Sequence, residues 1–177
     1  MTVFFISDTH FGHQNILRLS KRPFSTIAEH DEALVAHWNA TVGEEDVVYH
    51  LGDFAYGLDD DADRLNWLFA RLQGHKHLVL GNHDLDGNGR MRPTIAALGW
   101  AERPEHLLHL ELDGVRLVLT HYAQREWQGG QKGAFHFYGH AHGALAGIGR
   151  SRDVGVVYMP DVAFRPRTFA ELTRGMK

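Results

Sequence analysis

Cysteine is missing from all 177 residues, which removes disulfide frameworks, thiolate zinc sites, iron–sulfur clusters and a cysteine nucleophile from consideration. Such a chain loses nothing in a reducing compartment, and a cytoplasmic location is expected. Long apolar runs are missing too. Stretches such as Val3–Ile6 and Leu117–Leu119 fall far short of the ~20 residues a membrane helix needs, and the first of them leads straight into polar residues. The expectation is therefore no transmembrane segment, no signal peptide and no membrane partner. Positive charge is in deficit, with 18 Lys and Arg against 22 Asp and Glu. A net charge of −4 excludes a surface that coats nucleic acid generically, although a local basic patch could survive inside that average. What the chain has in excess is histidine, 14 residues with no tag-like run.

The length predicts one domain over residues 1–177, large enough to bury a core without staples. Met1–Ile6 reads as a buried strand with polar groups at its end. Ser25 reads as an N-cap, and apolar residues at helical spacing predict a helix over Thr26–Val42. Asp46–Leu51 is a second strand, Asp60–Leu72 a second helix stopped by Gly74, and His75–Leu80 a third strand. This βαβ series ends each strand in Gly or Asp, and open α/β sheets place their sites there. A short helix is expected near Arg92–Leu98. Glu105–Leu112 and Val115–Thr120 flank Asp113-Gly114, a hairpin signal. Phe135–Tyr138 and Val154–Tyr158 are further strands, followed by a helix at Thr168–Arg174. The second half reads as antiparallel, which suggests two mixed sheets packed together.

Five segments each place a metal-ligating residue just past a strand: Asp8/His10, Asp53, Asn82/His83, His121 and His140/His142. Carboxylate, amide and imidazole without sulfur suit Mn²⁺, Fe, Co, Ni or Zn²⁺, and so many ligands exceed one ion's needs but are about right for two. In Asp8-x-His10 and His140-x-His142 the partners are two apart, so extended backbone would lean both side chains of a pair to one side.

The order D-x-H, G-D, G-N-H-D, H, G-H-x-H resembles that of the calcineurin-like metallophosphoesterases, and here it runs from Asp8-Thr9-His10 through Gly52-Asp53, Gly81-Asn82-His83-Asp84 and His121 to Gly139-His140-Ala141-His142. The opening from Asp8 to Asn15 is most similar to that of compact bacterial and phage phosphoesterases. The resemblance implies an α/β fold, a four-layer α/β/β/α sandwich of two mixed sheets flanked by helices. It implies two divalent ions per chain, with manganese preferred, the first on Asp8, His10, Asp53 and His142 and the second on Asp53, Asn82, His121 and His140. It also implies a hydroxide between the ions as nucleophile, His83 assisting the leaving group, and Asp84 orienting the His83 ring.

The candidate substrate contacts are His13, Asn15, Arg22 and Arg125, read against the plainer alternatives of capping and solvated surface. Tyr122, Phe54 and Trp127 could stack a base, or could belong to the core. Asp84-Leu85-Asp86-Gly87-Asn88-Gly89 opens like an EF-hand loop, but position twelve is Ile95 where a glutamate is required. The substrate expected is a small phosphoester, possible nucleotides included, with nucleic acid considered only as a substrate. A diester carries one negative charge against nearly two for a monoester, and basic residues are few in the motif loops, so phosphodiesterase is favoured over phosphomonoesterase or nuclease. Scaffold proteins of this fold lose ligands, whereas here every ligand position is filled. Val157 stands where relatives often carry aspartate.

Overall fold

The computed structural model describes residues 1–156 and 164–176. In chain order its first half contains β1 (Val3–Ile6), α1 (Ile16–Leu19), α2 (Ile27–Asn39), β2 (Val47–His50), α3 (Ala62–Arg71), β3 (His75–Leu78) and α4 (Pro93–Ala96). The second half contains β4 (Leu107–Leu112), β5 (Val115–Thr120), β6 (Phe135–Tyr138), β7 (Ser151–Asp153), β8 (Arg167–Thr168) and α5 (Phe169–Thr173). Two four-stranded sheets form, ordered β3-β2-β1-β8 and β4-β5-β6-β7.

Local chemistry explains the helix ends. Thr26, rather than Ser25, caps α2: its hydroxyl accepts the Glu29 N–H at 3.1 Å, while Ser25 donates its own N–H to the Glu29 carboxylate at 2.9 Å. Asp61 caps α3 through the Arg64 N–H. In α5, Thr168 and Glu171 form a reciprocal capping box.

Strand β1 is buried on both faces, which accounts for its unbroken apolar sequence. Phe4 and Ile6 join Leu34, Trp38, Val48, Leu65 and Leu68 in a core beneath α2 and α3. Phe5, on the opposite face, joins Leu117, Leu119 and Phe137 between the sheets. The expected α/β sandwich of two mixed sheets is present. Its outer layer on the second sheet is thin among the described residues: segment 121–134, with one 3₁₀ turn at Gly130–Lys132, covers that face. There His136 is fully buried, donating from Nδ1 to the Val118 carbonyl at 3.0 Å and accepting the Gln124 N–H on Nε2 at 2.9 Å.

The antiparallel reading of the second half holds for β8, which pairs with β1, and for the β4–β5 hairpin, whose turn residues Asp113 and Gly114 both have positive φ. β5 pairs with β6, and β6 with β7, in parallel, because the segments between them are long enough for crossovers. The strand expected at Val154–Tyr158 lies earlier, at Ser151–Asp153, and residues 157–163, Val157 among them, lie outside the described residues. Parallel pairing of β1, β2 and β3, and of β5 and β6, puts the carboxyl ends of each set along one edge of its sheet. The His140 N–H bonds the Asp8 carboxylate at 3.0 Å, joining the two edges.

Candidate metal centre

The candidate ligands do not sit on extended backbone. Asp8, His10, Asp53, His140 and His142 have φ of 58°, 52°, 57°, 66° and 48°, and they are five of the eight described non-glycine residues with positive φ. The x-spaced pairs therefore converge through left-handed turns just past strand ends, not through strand alternation. Asp, Asn and His tolerate this region better than most residues, and strain of this kind collects at functional sites. Main-chain bonds fix the turns: Asp8 N–H to Gly52 carbonyl at 2.9 Å and His10 N–H to Asp53 carbonyl at 3.0 Å. Beneath them lies Arg22, whose buried guanidinium donates to the Asp8 carbonyl at 2.5 Å and the Thr9 carbonyl at 2.8 Å. Arg22 also donates to His30 Nε2 at 2.6 Å, so His30 must carry its proton on Nδ1, where it meets Asp31 at 3.0 Å.

Three groups of ligand atoms converge among the described residues: Asp8/His10/His142 and Asp53/His121/His140, with His10/Asp53/His83 between them. Asp53 faces both: its Oδ2 lies 3.6 Å from His10 Nε2, and its Oδ1 lies 3.5 Å from His121 Nε2. His142 Nε2 lies 3.7 Å from Asp8 Oδ1 and 3.3 Å from His10 Nε2. Asn82 Oδ1 lies 3.2 Å from His121 Nε2. His83 Nε2 is 4.0 Å from Asp53 Oδ2, and the ring stands over the first group against His10 and Tyr56.

Groups behind the ligands set their tautomers. His121 Nδ1 donates to the Leu51 carbonyl at 2.7 Å, which makes Nε2 the nitrogen directed inward. His142 Nδ1 meets Ser20 Oγ at 3.1 Å, and His10 Nδ1 meets His13 Nδ1 at 3.1 Å. Thr9 donates its hydroxyl proton to the Phe54 carbonyl, so His50 Nε2, 2.9 Å away, is a donor to that hydroxyl. Glycine is required where the loops touch: a Cβ on Gly81 would come within 2.4 Å of Asp53 Oδ1, and one on Gly139 within 2.5 Å of Ser7 Oγ.

Burial opposes every isolated charge here. It pushes Asp8 up to about 7 and His13 and His142 down to about 4, and it holds His10 well below the usual imidazole range. His121 is the exception: burial lowers it, but the hydrogen bond and negative charge of Asp53 outweigh that and bring it to about 9. In turn His121 holds Asp53 below the ordinary carboxylate range despite burial. Imidazole nitrogens and carboxylate oxygens directed at common points fit hard or borderline divalent cations, with a cation displacing the proton that His121 holds beside Asp53.

Asp84 does not orient His83. Its fully buried carboxylate accepts the N–H groups of Asp53 at 2.9 Å, Phe54 at 3.0 Å and Gly81 at 2.8 Å, so its oxygens are committed to tying two ligand loops together. Arg22 is buried under the Asp8 turn rather than directed at the site opening. Arg125 lies away from the centre, in a cavity with Trp127 and Lys132. Asn15 is exposed at the start of α1 and makes no capping bond. His13 is buried against His10, and Phe54 belongs to the core. Tyr122 is at the site, donating to Asn82 Oδ1 at 3.3 Å. Sequence reasoning missed Tyr56, whose ring centre lies 4.5 Å from those of both His13 and His83. Its signal was position, an aromatic three residues past Asp53.

The calcineurin-like phosphoesterase superfamily domain matches residues 1–159, and the chain belongs to that superfamily. An uncharacterized protein of Methanocaldococcus jannaschii is 39% identical over 85 residues, 48% of each protein, so the match spans about half the length of that relative. The Gene 66 protein of Mycobacterium phage D29 is 32% identical over 166 residues, covering 81% of this chain and 79% of that protein. A crystal structure of an Aquifex aeolicus protein of unknown function superposes with a TM-score of 0.71 at 24% identity, over 96% of both chains.

Proposed function

We propose that the chain is a dinuclear metal-dependent phosphodiesterase. The observation that carries the reading is Asp53, each of whose oxygens faces a separate group of nitrogen and oxygen donors, as expected of a carboxylate shared by two ions. Asp8, His10, Asp53 and His142 would hold one ion and Asp53, Asn82, His121 and His140 the other. When bound, the cations supply positive charge that polarises the phosphoryl group and activates water. Manganese is the metal proposed on the family resemblance, within a sulfur-free donor set that also suits Fe, Co, Ni or Zn. A cytoplasmic setting belongs to the same proposal.

The chain's own residues divide the remaining work. His83, half-buried with its Nε2 4.0 Å from Asp53 Oδ2, would donate a proton to the departing oxygen. Tyr56 and His13 pack against the ring and limit its rotation. Diester preference is supported by the fate of the motif-loop cation: Arg22 is buried with its guanidinium on the Asp8 and Thr9 carbonyls and His30, which keeps it from reaching out to meet a second phosphate charge.

With Mn²⁺, bis-p-nitrophenyl phosphate is expected to be hydrolysed faster than p-nitrophenyl phosphate, and Asp53→Asn to abolish both activities. Undiminished turnover in Asp53→Asn, or no stoichiometric metal by elemental analysis, would sink the reading. His83→Ala is expected to keep its metal and lose rate, most for poor leaving groups; loss of metal instead would make His83 a ligand.

A further inference from the structure

A second basic site lies on the outer face of the second sheet. Arg116, Arg125, Lys132 and Arg150 line one cavity of about 660 Å³ together with Trp127 and Glu126, in a chain whose net charge is −4. Arg116 stands near the start of β5, whose far end carries His121, so the cavity begins roughly 16 Å along the strand from the metal centre at ~3.3 Å per residue.

One side of the cavity is fixed, while Arg116, Arg125 and Lys132 project into solvent around it. Arg150 is fixed by donating to the Gly133 carbonyl at 2.9 Å and by lying over the Phe135 ring at 5.2 Å. A Cβ on Gly133, where φ is 90°, would meet that guanidinium at 2.9 Å, so glycine is what lets the arginine lie there. Trp127 donates from Nε1 to the Ala134 carbonyl at 2.8 Å, and its ring packs near that of His136. Against this frame the cationic ends of Arg116, Arg125 and Lys132 have no hydrogen-bond or ion-pair partner among the described residues. Three unpaired cations beside a fixed guanidinium, with one carboxylate in the lining, call for a compact ligand with several negative charges. Guanidinium forks match phosphate oxygens in geometry as well as charge, and the volume is that of a nucleotide-sized molecule.

We infer that this cavity binds a small polyphosphate-bearing ligand, separately from the metal centre. Segment 121–134 joins the two sites covalently, running from His121 to Lys132. The probe is inorganic tripolyphosphate, titrated calorimetrically into the full chain and followed in parallel by tryptophan fluorescence, with Trp127→Phe identifying the contribution of Trp127. Saturable binding is expected, weakened about tenfold or more by Arg125→Ala/Lys132→Ala, since each charged hydrogen bond is worth at least that factor. Asp53→Asn is expected to bind as the parent chain does, which separates this site from the phosphodiesterase reading. The inference is overturned by absence of saturable binding, by unchanged affinity in Arg125→Ala/Lys132→Ala, or by loss of binding in Asp53→Asn, which would place the anion at the metal centre. Tighter binding of a short oligothymidylate than of tripolyphosphate would overturn the small-ligand assignment in favour of single-stranded nucleic acid.

Discussion

The two sheets contribute to the metal centre in different ways. The first supplies Asp8, His10 and Asp53, all buried, on turns clamped from below by Arg22, Asp84 and the Thr9–His50 pair. The second supplies His121, buried, but also His140, which is exposed, and His142, half-buried with Ser20 behind its Nδ1 among the described residues. One half is fixed before any cation arrives; the other holds its ligands on loops with little behind them. The centre thus combines a rigid wall carrying the shared carboxylate with a more adjustable wall that completes each coordination set.

Substitutions on the two walls should separate these roles. The largest effect is expected from Asp84→Ala, which strips the acceptor from three buried N–H groups. At ~1–3 kcal/mol for each unmet donor, urea denaturation should show a loss of at least about 3 kcal/mol, partly recovered in Asp84→Asn. A loss below about 1 kcal/mol would mean that the first wall is not held this way. Next comes Arg22→Met, which leaves two buried carbonyls without a donor. Stability should fall by about 2–3 kcal/mol, and Mn²⁺ affinity measured by calorimetry should fall with it. Unchanged metal affinity in a folded Arg22→Met would separate the clamp from the site. His140→Asn should reverse the balance, with stability kept within about 0.5 kcal/mol but one of two ions weakened by roughly tenfold or more. Loss of both ions together would break the distinction between walls. The smallest change is expected from Ser20→Ala, under about 1 kcal/mol of stability and a few-fold in affinity of one ion, read by the same titration.

Much of this arrangement was legible in the residues. Strand ends and ligand motifs coincide because β1, β2, β3, β5 and β6 end where Asp8, Asp53, Asn82, His121 and His140 begin their loops. What was not legible is the handedness of the turns, since a D-x-H spacing suits an extended or a left-handed backbone equally. Asp84 was misread for a related reason. Sequence adjacency to His83 suggested a partner for its ring, whereas the carboxylate is satisfied by N–H groups 30 and 31 residues away. The parallel β5–β6 pairing was hidden because segment 121–134 has no helical periodicity to announce a crossover. Arg22, Arg125 and Tyr56 show that charge and aromaticity can be counted from sequence, while the direction a side chain takes depends on burial.

The left-handed turns also decide what mutagenesis at this centre can measure. Replacing Asp8, His10, Asp53, His140 or His142 by alanine would remove a donor and, in the same stroke, install a residue that resists positive φ. The two losses would be summed in a single number. Asparagine accepts the turn and glycine accepts it more freely still, so a set of Asn, Gly and Ala variants at one position divides the cost of bending the chain from the cost of losing the ligand.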